Sequence, residues 1–436
     1  MLQTFRNAWK IPDLRKKILF TIFIIIAFRF GAVIPVPFLD VDALKAVMDQ
    51  MNADGSAIGY VNMLTGDAFS RATLFALGIQ PYITSSIIMQ LLQVAIPALE
   101  RIGKEGETGR KKIAAITRVV TVGLGVIMAV AYFIFLRNGS IVKYTSGFEG
   151  VFVAAIIMLC FIAGSTLIMW MGEQINEKGI GNGISMILFA GIVARLPVTI
   201  SGVMDKISLG IAEGSFSRII FAVCFVVLFL AIIWIIVFMN EAERRIPVQY
   251  AKKVVGRKMY GGQSSFMPIK VAMSGVMPVI FASSILSIPS IIRMFVAPKA
   301  GGIMEKIFGA LQSGGWVYCV LYFLLILMFA YFYMAIQYNP LEMANNLRQN
   351  NGTIPGLRPG KPTADFIQKI LSKITLIGAL FLAVIAIVPI IYGNIANLQD
   401  LSFGGTSIII MVGVALETVK QLESQMMMRH YKGFLD

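Results

Sequence analysis

The polar side chains with most to offer chemically are a few hydroxyls and amides set inside long apolar runs. Thr84, Ser85, Ser86, Gln90 and Gln93 lie in one run, Ser283 and Ser284 in another. Each set follows a glycine and a proline. The first reads Gly78-Ile79-Gln80-Pro81-Tyr82-Ile83-Thr84-Ser85-Ser86-Ile87. The second reads Gly275-Val276-Met277-Pro278-Val279-Ile280-Phe281-Ala282-Ser283-Ser284-Ile285, one residue longer. At membrane depth such groups act through hydrogen bonds. They serve as glue between helices, at about 1 kcal/mol or less per contact, or as a seam weak enough to part. Gly/Pro-interrupted apolar segments at matching positions of two halves point to the working site of a repeat-built membrane protein.

Other chemistry is poorly provided for. The only histidine, His430, stands near the chain end and cannot build a triad or a metal site. Cys160, Cys224 and Cys319 are far apart in apolar segments, with no CxxC pair. The sequence has no Walker loop, HExxH helix or GxSxG elbow, and the Gly-rich stretch Gly179–Gly183 fails the dinucleotide pattern. Among intramembrane charges, Arg29 is expected to snorkel from the outer end of the first span. Glu173, Glu417 and Glu423 fall near cytoplasmic ends. A central charge costs about 2.5–3.5 kcal/mol on insertion scales, and coupled transporters usually accept that cost; no clear candidate stands out. An intramembrane enzyme or an ion-coupled transporter is therefore disfavoured, and no cofactor or metal is expected.

Composition sets the class. Of 436 residues, 57% are hydrophobic and 14% charged, against roughly 25% charged in soluble domains. This is a polytopic membrane protein. The net charge of +15 reads as a topology signal rather than a nucleic-acid footprint, available also to anionic lipid or an acidic partner. The 25 methionines are apolar filler or an adaptable apolar surface.

Ten segments supply the roughly 20 apolar residues a crossing helix needs. They lie at 18–37, 78–97, 114–136, 151–171, 183–203, 217–239, 269–295, 316–338, 370–392 and 406–427. The basic stretch before the first reads as the start of a retained helix rather than a cleaved signal. Lysine and arginine concentrate in segments 1–17, 98–113, 240–269 and 339–369, which places both termini and the tail 428–436 in the cytoplasm. Division as five plus five, 18–203 and 217–427, makes the halves face opposite ways: an all-α inverted repeat. The Gly-x-x-Pro runs are then the second span of each half. A fainter match, Gly181-Asn182-Gly183-Ile184-Ser185 against Gly404-Gly405-Thr406-Ser407, opens the fifth of each.

Residues 62–74 are semi-polar, with Leu64, Ala68 and Ala72 on one helical face. Pattern alone favours an interfacial amphipathic helix over a helix folded back into the membrane. The basic loops 240–269 and 339–369 carry Arg244, Arg245, Arg257, Lys258 and, between prolines and glycines, Arg358. They are solvated positive-inside loops or a docking face.

Several motifs in order resemble the bacterial SecY family across essentially the whole chain. They are Phe75-Ala76-Leu77-Gly78-Ile79-Gln80-Pro81-Tyr82-Ile83, Gly172-Glu173-Gln174-Ile175, Gly179-Ile180-Gly181-Asn182-Gly183-Ile184-Ser185, Ile280-Phe281-Ala282-Ser283-Ser284, Ile354-Pro355-Gly356-Leu357-Arg358-Pro359-Gly360 and Gly404-Gly405-Thr406-Ser407. The resemblance implies a protein-conducting channel of ten spans around an hourglass pore in the bacterial plasma membrane. It implies a plug at 62–74, including Asn62, Leu64, Gly66, Asp67, Arg71 and Leu74. It implies a pore ring of Ile83, Ile87, Ile184, Leu188, Ile280 and Ile410, the last with neighbouring registers at Ile408 and Ile409. The lateral gate falls between spans 2 and 3 and spans 7 and 8, with Ser85, Ser86, Gln90, Gln93, Ser283 and Ser284 on its seam. SecE and SecG are implied as membrane partners, and the SecA ATPase or a ribosome as motor docking on Arg244, Arg245, Arg257, Lys258 and Arg358. Signal peptides and unfolded preproteins are the implied substrates.

Overall fold

The computed structural model describes residues 2–53, 65–144, 147–212, 216–250, 253–255, 258–260, 264–273, 275–295, 309–311, 315–395 and 405–432. Asn62, Leu64 and Arg257 lie outside them. The described chain is mostly helical, and a helix overlaps each of the ten apolar segments. In order these are α2 (Pro12–Gly31), α4 (Gln80–Ala95), α6 (Glu107–Asn138), α7 (Gly147–Lys178), α8 (Gly183–Ala212), α9 (Phe216–Glu241), α10 (Met277–Phe295), α11 (Trp316–Gln337), α13 (Lys361–Ile395) and α14 (Gly405–Lys432). Short helices α1 (Leu2–Lys10), α3 (Val41–Ala53), α5 (Pro97–Lys104) and α12 (Pro340–Gln349) sit between or before them. Seven described helices are long and apolar enough to cross a membrane, or eight if α4 and α5, bent by 102°, count as one broken span. The helix α2 carries charges at both ends, and the apolar part of α10, Met277–Pro289, is short.

Boundaries moved for local reasons. Helix α2 starts earlier than the apolar run because Pro12 suits a first helical turn, where its missing N–H costs nothing. It stops at Gly31, four residues before Pro35. Pro97 breaks α4 from α5 in the same way: Ile96 is extended (φ −112°, ψ 110°), as a residue before proline prefers.

The helices pack as a ring around two central members. Helix α10 is buried on nearly every side from Pro278 to Ser284. It packs against α4, α6, α11 and α13. The most apolar stretch of α14 is 67% buried, that of α9 only 17%. An all-round apolar helix belongs inside, and α9 shows that in a membrane protein such a helix can equally face outward. Close approaches rely on glycine. A Cβ at Gly164 would run into the Leu74 carbonyl, and one at Gly183 into the Gly172 carbonyl.

The expectation of an all-α chain misses a small sheet. Strand β1 (Glu243–Tyr250) pairs antiparallel with β4 (Ser264–Lys270), and β5 (Gly352–Thr353) joins the other edge of β1; β2 (Lys253–Val255) and β3 (Lys258–Tyr260) pair separately. The signal was present: only Ile246 and Val248 of β1 are buried, the period of two that a half-buried strand requires. Proline is unusual inside a sheet, yet Pro247 and Pro268 each lie in a paired β-ladder.

Gly164→Ala should cost about 1–3 kcal/mol by overpacking. It should lower the thermal midpoint of the detergent-solubilised protein, whereas Gly123→Ala, with open space at its Cβ, should not.

Candidate functional site

The two Gly-x-x-Pro runs fold alike. Gly78 and Gly275 both adopt left-handed backbone, at φ 56° and 57°. Glycine reaches that region at no steric cost. Gly78 N–H donates to the Phe75 carbonyl at 2.9 Å, and Gly275 N–H to the Ala272 carbonyl at 3.2 Å. Pro81 and Pro278 each stand second in the helix that follows. Ile83 N–H then bonds the Ile79 carbonyl (3.0 Å), and Ile280 N–H the Val276 carbonyl (3.2 Å). One backbone device thus sets Ile83 and Ile280 at the same place in two helices.

The third and fourth contributions come from α8 and α14. Asn182 caps α8, its Oδ1 accepting the N–H groups of Ile184 (3.1 Å) and Ser185 (3.4 Å), while Asn176 Oδ1 accepts that of Gly183 (2.8 Å). Gly405, first in α14, leaves room for the Ile385 carbonyl. Ile83, Ile87, Leu188, Ile280 and Ile410 are all buried in one apolar cluster, with Ile184 partly buried against it. Ile408 and Ile409 are buried in the same cluster, so burial does not single out a register on α14. Tyr322 on α11 and Thr406 share a hydrogen bond of 2.7 Å beside this start.

The hydroxyls and amides of the two runs make hydrogen bonds. Ser85 Oγ donates to the Thr117 carbonyl on α6 at 2.9 Å. Gln90 Nε2 donates to Ser86 Oγ on its own helix at 3.3 Å, and Ser283 Oγ to the Ile280 carbonyl at 2.9 Å. Ser284 is buried, with its carbonyl accepting from Ser287 Oγ at 2.7 Å. Gln93 is half-buried, near Gly103 of α5. Helix α10 closes against both α4 and α6.

Residues 62–64 lie outside the described residues and Thr65 is helical, but 66–79 run mostly as turns, so the amphipathic helix the pattern favours does not continue to 74. Gly66 (φ 63°), Asp67 (φ 70°) and Ala72 (φ 42°) are left-handed, which breaks helical bonding. Partners from other elements replace it. Tyr132 Oη donates to the Phe69 carbonyl (2.6 Å), and Leu74 N–H donates to the Ile34 carbonyl (2.9 Å). Ala68, Phe75 and Ile79 join the central cluster; Phe69, Ala72 and Ala76 join a second one with Tyr132 and Phe161. Arg71 is exposed and Leu74 half-buried.

Arg29 does not snorkel. It lies against Gly66, where a Cβ would stand 2.5 Å from its Nη1, and that nitrogen is enclosed with no hydrogen-bond partner among the described residues. The sequence reading also passed over Arg195 on α8, which pairs with Asp67 at 3.2 Å. A lone charge in an apolar run was the available signal. Glu173 pairs with Arg118 of α6 at 2.7 Å, and Glu423 accepts a bond from Thr4.

The basic loops meet on one body. Ile246 and Ile269 of the sheet, Ala344 of α12, Ile354 and the start of α13 share a small core. Arg244 and Arg245 stand exposed on β1, the latter 2.8 Å from Glu243. Lys258 opens β3. Arg358 is exposed at a loop tip braced by Thr363 Oγ1, which donates to its carbonyl at 2.8 Å. On α5, the Lys104 ammonium holds the Glu100 carboxyl below the usual carboxylate range.

The SecY family pattern matches residues 73–419. The chain belongs to the SecY family. The protein translocase subunit SecY of Streptomyces coelicolor is 42% identical to it over 443 residues, the full length of both. A SecY translocation channel whose plug domain stabilises the closed state and maintains a membrane seal has the same fold, with a TM-score of 0.63 at 17% identity over 94% of this chain and 92% of that one. So does Sec61 from a canine ribosome–channel complex of the endoplasmic reticulum, with a TM-score of 0.58 at 15% identity over 94% and 92%. As a SecY protein, the chain is a multi-pass membrane subunit of the protein translocase, a protein-conducting channel component and not an enzyme.

Ser85→Ala removes a bond between α4 and α6 and should cost about 1 kcal/mol of stability. Ser287→Ala, whose hydroxyl only backs onto its own helix, should cost less than half of that in the same thermal melt.

Proposed function

We propose that this SecY chain forms the pore by itself, as ten spans in two inverted halves with both termini in the cytoplasm of a bacterial plasma membrane. The carrying observation is the convergence of Ile83, Ile87, Ile184, Leu188, Ile280 and Ile410, from four helices, in one apolar cluster. The matched backbone at Gly78 and Gly275 supports the inverted repeat, and the overlap of a helix with each apolar segment supports the count.

In this reading the six side chains are a collar. Aliphatic groups offer nothing to water or ions, so a narrow ring of them gates by dewetting. They also bind no particular side chain, which suits a substrate of arbitrary unfolded sequence. Residues 62–74 act as the plug beneath the collar on the outer side. Helices α4 and α6 face α10 and α11 across the lateral gate. The bonding of Ser85 to α6 and of Gln90 to Ser86 on its own helix supports a seam whose α4 side keeps these hydrogen bonds when it parts. An apolar segment of about 20 residues then leaves for lipid, driven by roughly 25 cal/mol per Å² of apolar surface buried.

The chain supplies no energy of its own. SecE and SecG are the expected membrane partners. SecA or a ribosome docks on Arg244, Arg245, Arg257, Lys258 and Arg358; the shared core beneath most of these residues supports one docking body, and kinship with a Sec61 found with a ribosome supports that partner.

Reconstituted with SecE and SecA, the chain should protect a preprotein from protease in an ATP-dependent way. Ion-coupled uptake of a small solute without such protection would sink the channel reading. The double substitution Ile83→Asn with Ile280→Asn should raise resting ion conductance at least several-fold; unchanged conductance would remove the collar assignment. Arg358→Glu should abolish protection while the complex still assembles, and normal translocation would count against its docking role.

A further inference from the structure

Two basic residues from different helices converge on residues 66 and 67. Arg195 of α8 pairs with Asp67 at 3.2 Å, their side chains 25% and 23% exposed. Arg29 of α2 packs over Gly66. Its guanidinium is attracted by Asp67 and repelled by Arg71, and its Nη1 is enclosed without a hydrogen-bond partner among the described residues. Both arginines sit in apolar helices, where an uncompensated charge is costly. Among the described residues, the Asp67 carboxylate acts on both. Gly66 admits no side chain, because a Cβ would also meet the Gly191 carbonyl of α8 at 2.9 Å. The segment is therefore gripped between α2 and α8 at one point, by fit and by charge together.

We infer that Asp67, Arg195 and Arg29 form an electrostatic clamp that holds the plug in its resting seat. Arg195 and Arg29 are positioning residues: they act through Asp67 and touch no substrate in this reading. The inference rests on the assignment of residues 62–74 as the plug. Apolar burial of Ala68 and Phe69 tolerates sliding, whereas an ion pair fixes one register. The clamp also responds to opening. A charge pair is about fourfold weaker in bulk water than near a protein surface, so water entering a widened funnel loosens the grip and frees the segment to leave. Asp67 suits this post, since aspartate accepts left-handed backbone better than most residues and carries the charge as well.

The test uses the full chain, purified with the subunits it carries from its own membrane and placed in planar bilayers. The readout is resting ion conductance without substrate. Asparagine keeps the shape of aspartate and its tolerance of left-handed backbone, so D67N removes charge without adding strain. D67N and R195Q should each raise the conductance on the order of tenfold, equivalent to about 1.4 kcal/mol in the seal's equilibrium. R195K should remain near the unmodified protein. The double variant D67N/R195Q should leak no more than either single one, because both cut the same contact. Should D67N fail to assemble, D67G replaces it, removing the carboxylate while relaxing the backbone. A merely structural role would lower the thermal midpoint without changing the leak, and that result overturns the clamp. So do unchanged conductance in the single variants and additive leaks in the double. Deletion of residues 62–74 is run alongside. A leak there with tight single variants removes the clamp and leaves the plug; no leak there removes the plug assignment and the clamp with it.

Discussion

Irregular backbone at membrane depth must be enclosed by protein, because lipid offers its N–H and C=O groups no partner. The rest of the structure depends on meeting that constraint twice. Residues 66–79 run mostly as turns before α4, and 271–273 and 275–276 turn before α10. The first stretch is wrapped by Ile34, Tyr132 and the Gly164 face of α7, and its carbonyls and amides find partners there. The second is seated against the sheet and the outer helices: Val271 N–H reaches the Ala242 carbonyl, and Gly378 of α13 leaves room for the Val271 carbonyl. Beyond these turns α4 and α10 pack against each other, and their first aliphatic residues share one cluster with Leu188 of α8 and Ile410 of α14.

A central helix meeting a central helix would ordinarily be held by whatever polar groups it carries. Here Ser85 spends its hydroxyl on α6 and Gln90 spends its amide on Ser86. Packing contributes to the α4–α10 contact, and packing is a weak bond in lipid because hydrocarbon is no worse a neighbour than leucine. Besides the Arg118–Glu173 pair near Tyr82, charge gathers at two further places. One is the turn segment before α4, with Arg29, Asp67 and Arg195; the other is the body built on β1, β4 and α13. In the first, charge sits where it can fix one position of a short loop. In the second it is displayed on a firm base, a core of Ile246, Ile269, Ile354 and Ile367.

Much of this was legible beforehand, for reasons that differ by element. Long apolar helices announce themselves through composition, so the segments around α6, α7, α9 and α13 were placed with only their ends extended. The Gly-x-x-Pro runs were legible because glycine and proline restrict backbone locally. The 66–79 turns were not. Their residues fit a helical face, and what overrules the helix is the set of partners supplied by α2, α6 and α7. Arg29 shows the same limit: an arginine near a helix end can reach the interface or turn inward, and only the neighbour opposite, here Gly66 and Asp67, decides between them. The β1–β4 pair was hidden by a proline in each strand, Pro247 and Pro268, although the alternation of Ile246 and Val248 was visible.

By itself the sequence determined a basic, polytopic, helical membrane protein with two matching helix starts, because hydropathy, charge bias and glycine–proline placement act over a few residues and need no distant partner. Its ordered motifs also pointed to the family. Tertiary structure decided which helices are enclosed, that Ile83, Ile87, Leu188, Ile280 and Ile410 share one cluster, that Ser85 bonds to α6, and that Asp67 meets Arg195. Each of these depends on contacts between residues far apart in the chain, as when Asp67 and Arg195 are brought to 3.2 Å, and no local preference of either residue encodes that meeting.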